Sequence, residues 1–140
     1  MSVVLITGCS SGFGMLAAAR LASGGHTVYA TMRNLDKKGD LLAESTQRGG
    51  EVRILELDVT EDASTVSAME QIERDEGRLD VLINNAAIIH DSATLVEFDP
   101  KIWKLVLQVN LVAPVFLTQA VLPDMIQRGS GKIINISSIG

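Results

Sequence analysis

The residue types best suited to chemistry near the amino terminus are the glycines and hydroxyls of Gly8-Cys9-Ser10-Ser11-Gly12-Phe13-Gly14. They follow the apolar run Val-Val-Leu-Ile at residues 3–6 and precede an alanine-rich segment, a pattern that predicts a buried strand, a turn and a helix. A helix start presents unpaired N–H groups and the positive end of its dipole, so it attracts phosphate. Glycines let the backbone turn tightly and let phosphate approach, and Ser10 and Ser11 add donors. The segment therefore predicts a site for a dinucleotide pyrophosphate.

Polar residues also follow each of the four later apolar runs. Arg33 follows the run at 26–32, Asp58 the run at 52–57, and Asn85 the run at 79–83, while Ser138 closes the run at 132–138. In an open parallel sheet, ligands bind outside the carboxyl ends of the strands. We therefore expect five strand ends to converge on one crevice that holds a dinucleotide.

The elements needed to position these residues alternate regularly along the chain. Five predicted strands alternate with four predicted helices, without repeats or low-complexity segments, which indicates an α/β doubly wound parallel sheet. Right-handed crossovers and the Rossmann pattern predict the strand order 3-2-1-4-5. Thr60 is predicted to cap the third helix, and Asp99-Pro100 to begin a long helix that Pro114 kinks and Pro123 can end locally. Apolar residues on nearly all sides of that helix predict burial against the sheet and against a second helix or subunit.

Composition narrows the class of protein. The chain has 140 residues, of which 46% are hydrophobic, and a net charge of −5 without a Lys/Arg cluster, which disfavours nucleic-acid binding. The apolar stretch at residues 3–6 is too short for a signal or membrane segment, so no membrane partner is expected. The single cysteine cannot form an internal disulfide and is consistent with a cytoplasmic protein. The sequence has no P-loop, which disfavours a P-loop nucleotidase, and no GxSxG elbow, which disfavours acyl transfer. It also has no Cys/His ligand set, so we expect no metal site.

Several motifs together resemble the short-chain dehydrogenase/reductase family, whose glycine motif is TGxxxGxG. This sequence has Thr7 and the three glycines in that spacing, followed in the family's order by Asp58-Val59-Thr60, Asn84-Asn85-Ala86-Ala87, Asn110 and Ile136-Ser137-Ser138. The resemblance covers the whole chain. The resemblance implies that the glycine loop from Gly8 to Gly14, Phe13 included, holds the pyrophosphate. It also implies that Asp58 and Val59 lie near the adenine ring. Asn84 to Ala87 would stabilise the sheet and line the cofactor. Ala87 stands where the family has glycine, which adds a methyl group and removes conformational freedom.

The same resemblance implies the catalytic residues. Ser138 matches the serine that hydrogen-bonds the substrate carbonyl, and Asn110 matches an asparagine in a water-linked proton relay. An alternative for Asn110 is a structural bond to a neighbouring backbone group, because a buried amide must be hydrogen-bonded. The family's Tyr-x-x-x-Lys lies in the helix after the Ser138 strand, whereas this sequence stops at Gly140. We therefore expect residues 1–140 to be a dinucleotide-binding domain, the N-terminal part of a longer single-domain enzyme, and to be inactive alone.

The cofactor is predicted to be NADP(H) rather than NAD(H). NAD binders usually place an acid about 20 residues past the glycine loop, and here that window holds Arg33, whose planar fork suits a 2′-phosphate. The expected partners are a small-molecule carbonyl or alcohol and further copies of the chain, since the family commonly dimerises through the helix at 99–128. Two alternatives stay open: a non-catalytic dinucleotide-binding module, and a Rossmann methyltransferase with an adenosyl cofactor.

Overall fold

The computed structural model describes residues 1–91 and 93–138. Its centre is a five-stranded, all-parallel sheet in the order β3-β2-β1-β4-β5, as predicted. The strands are β1 Val3–Ile6, β2 Thr27–Met32, β3 Val52–Glu56, β4 Val81–Asn84 and β5 Lys132–Asn135. They are shorter than the predicted runs at several ends, and β5 stops at Asn135 rather than Ser138. The number and order of the strands are thus predicted correctly, and some of their boundaries imprecisely.

Helices cover both faces of the sheet. They are α1 Gly12–Ser23, a short 3-10 turn Leu35–Lys38, α2 Gly39–Gln47, α3 Asp62–Glu76, α4 Pro100–Leu107 and α5 Ala113–Arg128, with a π-helical turn Gln108–Val112 between the last two. Strand residues alternate between two hydrophobic cores. Val4 and Ile6 pack with Ala18 of α1 on one face, whereas Leu5 and Leu82 pack with Leu117 of α5 on the other. Because both faces are covered, β1 is buried along its whole length.

The long helix predicted from Asp99 is present but interrupted. Asp99 caps it as expected, because its Oδ1 accepts a hydrogen bond from the Lys101 N–H at 2.8 Å. A proline at position 114 has no N–H for the carbonyl four residues earlier, and its ring crowds that carbonyl. Residues 108–112 accordingly adopt the wider π turn, in which the Ala113 N–H donates to the Gln108 carbonyl. Pro123 does not end the helix, which continues to Arg128.

The predicted cap at Thr60 is wrong. Helix α3 begins at Asp62 with Glu61 in the cap position. Thr60 instead donates its N–H and its hydroxyl to Oδ1 of Asp58, at 2.9 and 2.7 Å. A local side-chain bond of this kind competes with helix capping, so Thr60 lies in a turn immediately before the cap residue Glu61.

The α4–α5 stretch carries a broad exposed apolar surface. Its exposed side chains include Ile102, Trp103, Leu111, Phe116 and Ile126. Among the described residues, Pro100–Arg128 is the one helical stretch long and apolar enough to span a membrane, a test that the core helix of a soluble protein also passes. The prediction that one side of this helix meets the sheet is confirmed, because Ala113, Leu117, Val121 and Met125 are buried. The other side has no covering element within residues 1–91 and 93–138.

Candidate dinucleotide site

The glycine loop connects β1 to α1 with the geometry that the sequence predicts. Gly8 and Gly12 have φ angles of 72° and 60°, in the left-handed region that favours glycine. Ser11 occupies the cap position of α1 in an extended conformation, and its side chain makes no capping hydrogen bond. The N–H groups of the first turn therefore receive no cap from Ser11, and the positive end of the α1 dipole is available to an anion.

The three glycines serve different purposes. A Cβ on Gly8 would come within 2.7 Å of the Ala86 Cα, and one on Gly14 would collide with the Asn85 amide and the Gly8 carbonyl. Gly8 and Gly14 are thus required by close packing of the loop against the chain that follows β4. A Cβ on Gly12 would meet no atom of the described chain within 4 Å. The space beside Gly12 is open, which fits a phosphate group approaching the backbone closely.

Thr7 joins the glycine loop to the segment after β4. Its side chain is buried, and Oγ1 accepts two hydrogen bonds, from the backbone N–H of Asn85 at 3.0 Å and of Ala86 at 2.9 Å. The Asn85 amide completes the joint by donating to the carbonyls of Thr7 and Gly8, at 3.0 and 3.1 Å. From the sequence, Thr7 is recognisable only as the first position of the glycine motif, and this joint is not predicted. The available signal is a threonine at the end of a buried strand, where an apolar residue is usual.

A cleft of about 260 Å³ lies at the carboxyl ends of the strands. It brings together nine of the predicted cofactor residues: Gly8, Ser10, Ser11, Arg33, Asp58, Val59, Asn85, Ala86 and Ala87. Met32, Leu57, Ile88 and Val109 also line it and were not predicted. Gly12, Phe13 and Gly14 do not line the cleft. Gly12 and Phe13 are exposed where α1 begins, and Gly14 is buried beneath the loop.

A larger groove of about 530 Å³ runs between α3 and α5, but it contains no predicted site residue. Its floor is formed by core side chains such as Ile72 and Val121, and charged side chains including Glu73 line it as well. The smaller cleft is the candidate ligand site, because, of these two sites in the described part of the chain, it is the one where the helix start, the glycine turn and the strand ends meet.

Two charged residues of the cleft differ in how they are held. Arg33 is exposed and makes no hydrogen bond or ion pair with residues 1–91 or 93–138, so its guanidinium is available to an anion. Asp58 is partly buried, and its Oδ1 is engaged by Thr60 as described above. The Asp58 backbone N–H donates to the hydroxyl of Ser64 at 2.9 Å. Asp58 therefore orders the β3–α3 turn, whatever it contacts in a ligand.

The two candidate catalytic residues lie outside the lining of the cleft. Asn110 is exposed rather than buried, and its amide forms a reciprocal pair with the backbone of Ile88, accepting from the N–H at 2.9 Å and donating to the carbonyl at 2.8 Å. The structural bond considered for Asn110 is therefore present. It ties the π turn to the loop after β4. Ser138 lies exposed, three residues beyond the end of β5.

Two other reactive side chains, Cys9 and Tyr29, are buried in the core and held by hydrogen bonds. Burial raises the pKa of the Cys9 thiol to about 12, and Sγ lies 3.3 Å from the Ile6 carbonyl that it donates to, so the thiol stays protonated. Burial also raises the pKa of Tyr29, whose hydroxyl accepts from Arg53 at 2.7 Å and donates to Asp75 at 3.1 Å. Within the described part of the chain, no group of three His, Cys, Asp or Glu residues could hold a metal ion.

The donor set of the cleft fits a dinucleotide. It offers a helix start without a side-chain cap, the turn at Gly8, serine hydroxyls and an available arginine, which are groups that bind phosphate. Apolar side chains such as Val59 and Ile88 provide surfaces for flat rings.

Comparison with known proteins leads to the same family that the sequence motifs resemble. Residues 2–140 match the family model of short chain dehydrogenases. The chain is 41% identical over 138 residues to a 3-ketodihydrosphingosine reductase of Bacteroides thetaiotaomicron, covering 99% of this chain and 47% of that protein. It is 41% identical over 145 residues to 17-beta-hydroxysteroid dehydrogenase type 1 of Homo sapiens, covering 99% of this chain and 43% of that protein.

Solved structures give the same result. A metagenomic short-chain oxidoreductase in complex with NADP has a TM-score of 0.91 and 34% identity, covering 99% of this chain and 63% of that one. An NAD+-bound xylitol dehydrogenase has a TM-score of 0.89 and 28% identity, covering 99% and 53%. The chain belongs to the short-chain dehydrogenase/reductase family. It spans less than half the length of the two curated relatives named above.

The joint at Thr7 gives a prediction for the intact protein. Thr7→Val keeps the shape but leaves two N–H donors without an acceptor, which should lower the free energy of unfolding by about 2–4 kcal/mol. Thr7→Ser keeps the oxygen and should cost about 1 kcal/mol or less, for one lost methyl group. Urea unfolding of both variants measures the difference. Equal losses would show that the two hydrogen bonds contribute nothing beyond packing.

Proposed function

We propose that the intact protein is an NADP(H)-dependent oxidoreductase that transfers hydride between the nicotinamide cofactor and a carbonyl/alcohol pair. The observation that carries this proposal is the convergence of the α1 start at Ser11, the turn at Gly8 and Arg33 on one cleft. Relatives named as reductases and dehydrogenases support it. The cofactor, when bound, supplies the hydride chemistry, and the protein supplies binding, orientation and electrostatics.

Each group of residues has a proposed task. The loop from Gly8 to Gly14 holds the pyrophosphate, Asp58 and Val59 flank the adenine end, and Asn85 to Ala87 line the cofactor. Ser138 holds the substrate carbonyl by a hydrogen bond. Asn110 links the proton path to water, and its side-chain pair with Ile88 holds that part of the helix in place.

The remaining acid/base groups belong to the wider protein. Proton transfer needs a positioned group with a tuned pKa, and the resemblance to the family assigns this to a tyrosine and a lysine in the helix that follows Ser138. We infer that residues 1–140 are the N-terminal part of a longer single-domain enzyme of the cytoplasm. The share of its relatives that the chain spans supports the longer enzyme, whereas the cytoplasmic location rests on the sequence expectation alone.

The substrate is proposed to be a small carbonyl or alcohol compound. Proteins similar to this chain carry names that refer to a sphingoid ketone, a steroid and gluconate, which share only the carbonyl/alcohol function. The proposal therefore specifies the reacting group and not the rest of the substrate.

The activity is tested by NADPH oxidation with a panel of ketones and aldehydes. The intact protein should oxidise NADPH with at least one of them, whereas residues 1–140 alone should not, because the proposed tyrosine and lysine are missing. Comparable turnover by both would overturn the acid/base assignment. Binding of NADPH without turnover of any substrate would instead favour a non-catalytic dinucleotide-binding module.

Arg33 should determine the preference for NADP(H). Arg33→Ala removes a charge-assisted contact to the 2′-phosphate, so the Kd for NADPH should rise about tenfold or more. The Kd for NADH, which lacks that phosphate, should change by less than about threefold on the same argument. Arg20→Ala, an exposed arginine on α1, is the matched control. Equal losses for both cofactors in Arg33→Ala, measured by calorimetry, would refute the assignment.

The protein is also proposed to form homo-oligomers, dimers or tetramers, through the exposed apolar side of α4–α5. An uncovered apolar surface of this extent is a liability for solubility in a monomer. Light scattering of the intact protein at micromolar concentration should give a multiple of the monomer mass. A purely monomeric sample, or an Ile126→Lys variant that associates as strongly as the native protein, would count against this surface.

A further inference from the structure

Two amide side chains face each other at the carboxyl ends of β4 and β5. Asn84 and Asn135 are the last paired residues of the two strands, and the Asn84 Nδ2 donates to the Asn135 Oδ1 at 2.8 Å. Just beyond them, the backbone N–H of Ile136 donates to the Asn84 carbonyl at 2.9 Å. The end of β5 is therefore attached to β4 by one side-chain bond and one backbone bond at the same point.

The arrangement costs stability. Asn84 is only 5% exposed, and its Oδ1 has no hydrogen-bond partner among the described residues. If the oxygen and nitrogen of both amides were exchanged, the single hydrogen bond between the two side chains would still leave one polar atom of Asn84 unpaired. An unpaired buried polar group is unfavourable, and asparagine is also a poor strand former. A pair of β-branched apolar residues would avoid both costs, and violations of this kind are typical of functional positions.

The position of this bond in the sheet indicates what it does. In the described sheet β5 is an edge strand, paired only with β4 over four residues. Within residues 1–91 and 93–138, the Asn84–Asn135 bond is the only side-chain hydrogen bond that joins these two strands. Ser138 follows Asn135 by three residues, so the direction in which the chain leaves β5 determines where Ser138 lies.

We infer that Asn135, acting through Asn84, is a positioning residue for Ser138: their amide bond fixes the end of β5 and thereby the serine that holds the substrate carbonyl. This inference rests on the proposed function. A displacement of about 1 Å at a reacting group can cost a factor of about a hundred in rate, so a single bond at this place matters for turnover. Neither asparagine lines the cleft that would hold the cofactor.

The test uses the intact protein and removes both amides together, so that no donor of Asn84 is left without its partner. In Asn84→Val/Asn135→Val the side chains suit a strand, so the melting temperature should stay equal or rise while kcat falls about tenfold or more. The Kd for NADPH should stay within about twofold, since neither position lines the cleft.

Two single variants complete the design. Asn135→Asp keeps an oxygen that can accept from Asn84 and should retain kcat within about threefold. Ile134→Val, whose side chain lies on the opposite face of β5, is the matched control and should leave kcat unchanged.

The possible outcomes separate the two proposals. Three results would each overturn the positioning role while leaving the proposed function standing. The first is a normal kcat in the double variant, and the second is a parallel loss of kcat, NADPH affinity and melting temperature in that variant. The third is an Asn135→Asp variant that is as impaired as the double variant. Failure of the unmodified intact protein to turn over any carbonyl substrate would overturn the proposed function, and the positioning role with it.

Discussion

The site depends on the two hydrogen bonds that the Thr7 hydroxyl accepts. One oxygen satisfies the N–H groups of Asn85 and Ala86 and so holds the chain after β4 against the chain after β1, although Thr7 and Asn85 are 78 positions apart. The close approach that results excludes a Cβ at Gly8 and Gly14. Packing of the two segments is by itself sufficient to require glycine at these positions.

Much of this architecture could be predicted from the sequence because its signals are local. Apolar runs of four to seven residues, separated by segments with helical periodicity, predict a parallel sheet, and right-handed crossovers leave few strand orders. The cleft at the strand ends follows from that topology, which is why the sequence alone suffices to assign Arg33, Asp58 and Asn85 to one place. Their roles toward a cofactor remain proposals.

The features that could not be predicted depend on contacts between distant segments or on competition between local bonds. To predict the π turn before Pro114, one must know how the helix re-forms its hydrogen bonds there. The presence of a proline alone does not specify this. Thr60 bonds to Asp58 instead of capping α3, since both arrangements suit the same residue types. The exposure of Asn110 and its pair with Ile88 depend on where the loop after β4 lies, which no periodicity encodes.

The central claim is that the cleft beside the glycine loop binds a nicotinamide dinucleotide. A thermal-shift comparison of the intact protein with NADPH, NADH and S-adenosylmethionine tests it most directly, because a ligand that binds the folded state raises the melting temperature. We expect a clear increase with NADPH, a smaller one with NADH and none with S-adenosylmethionine. Stabilisation by S-adenosylmethionine alone would contradict the claim and would indicate a methyl-transfer site in the same fold.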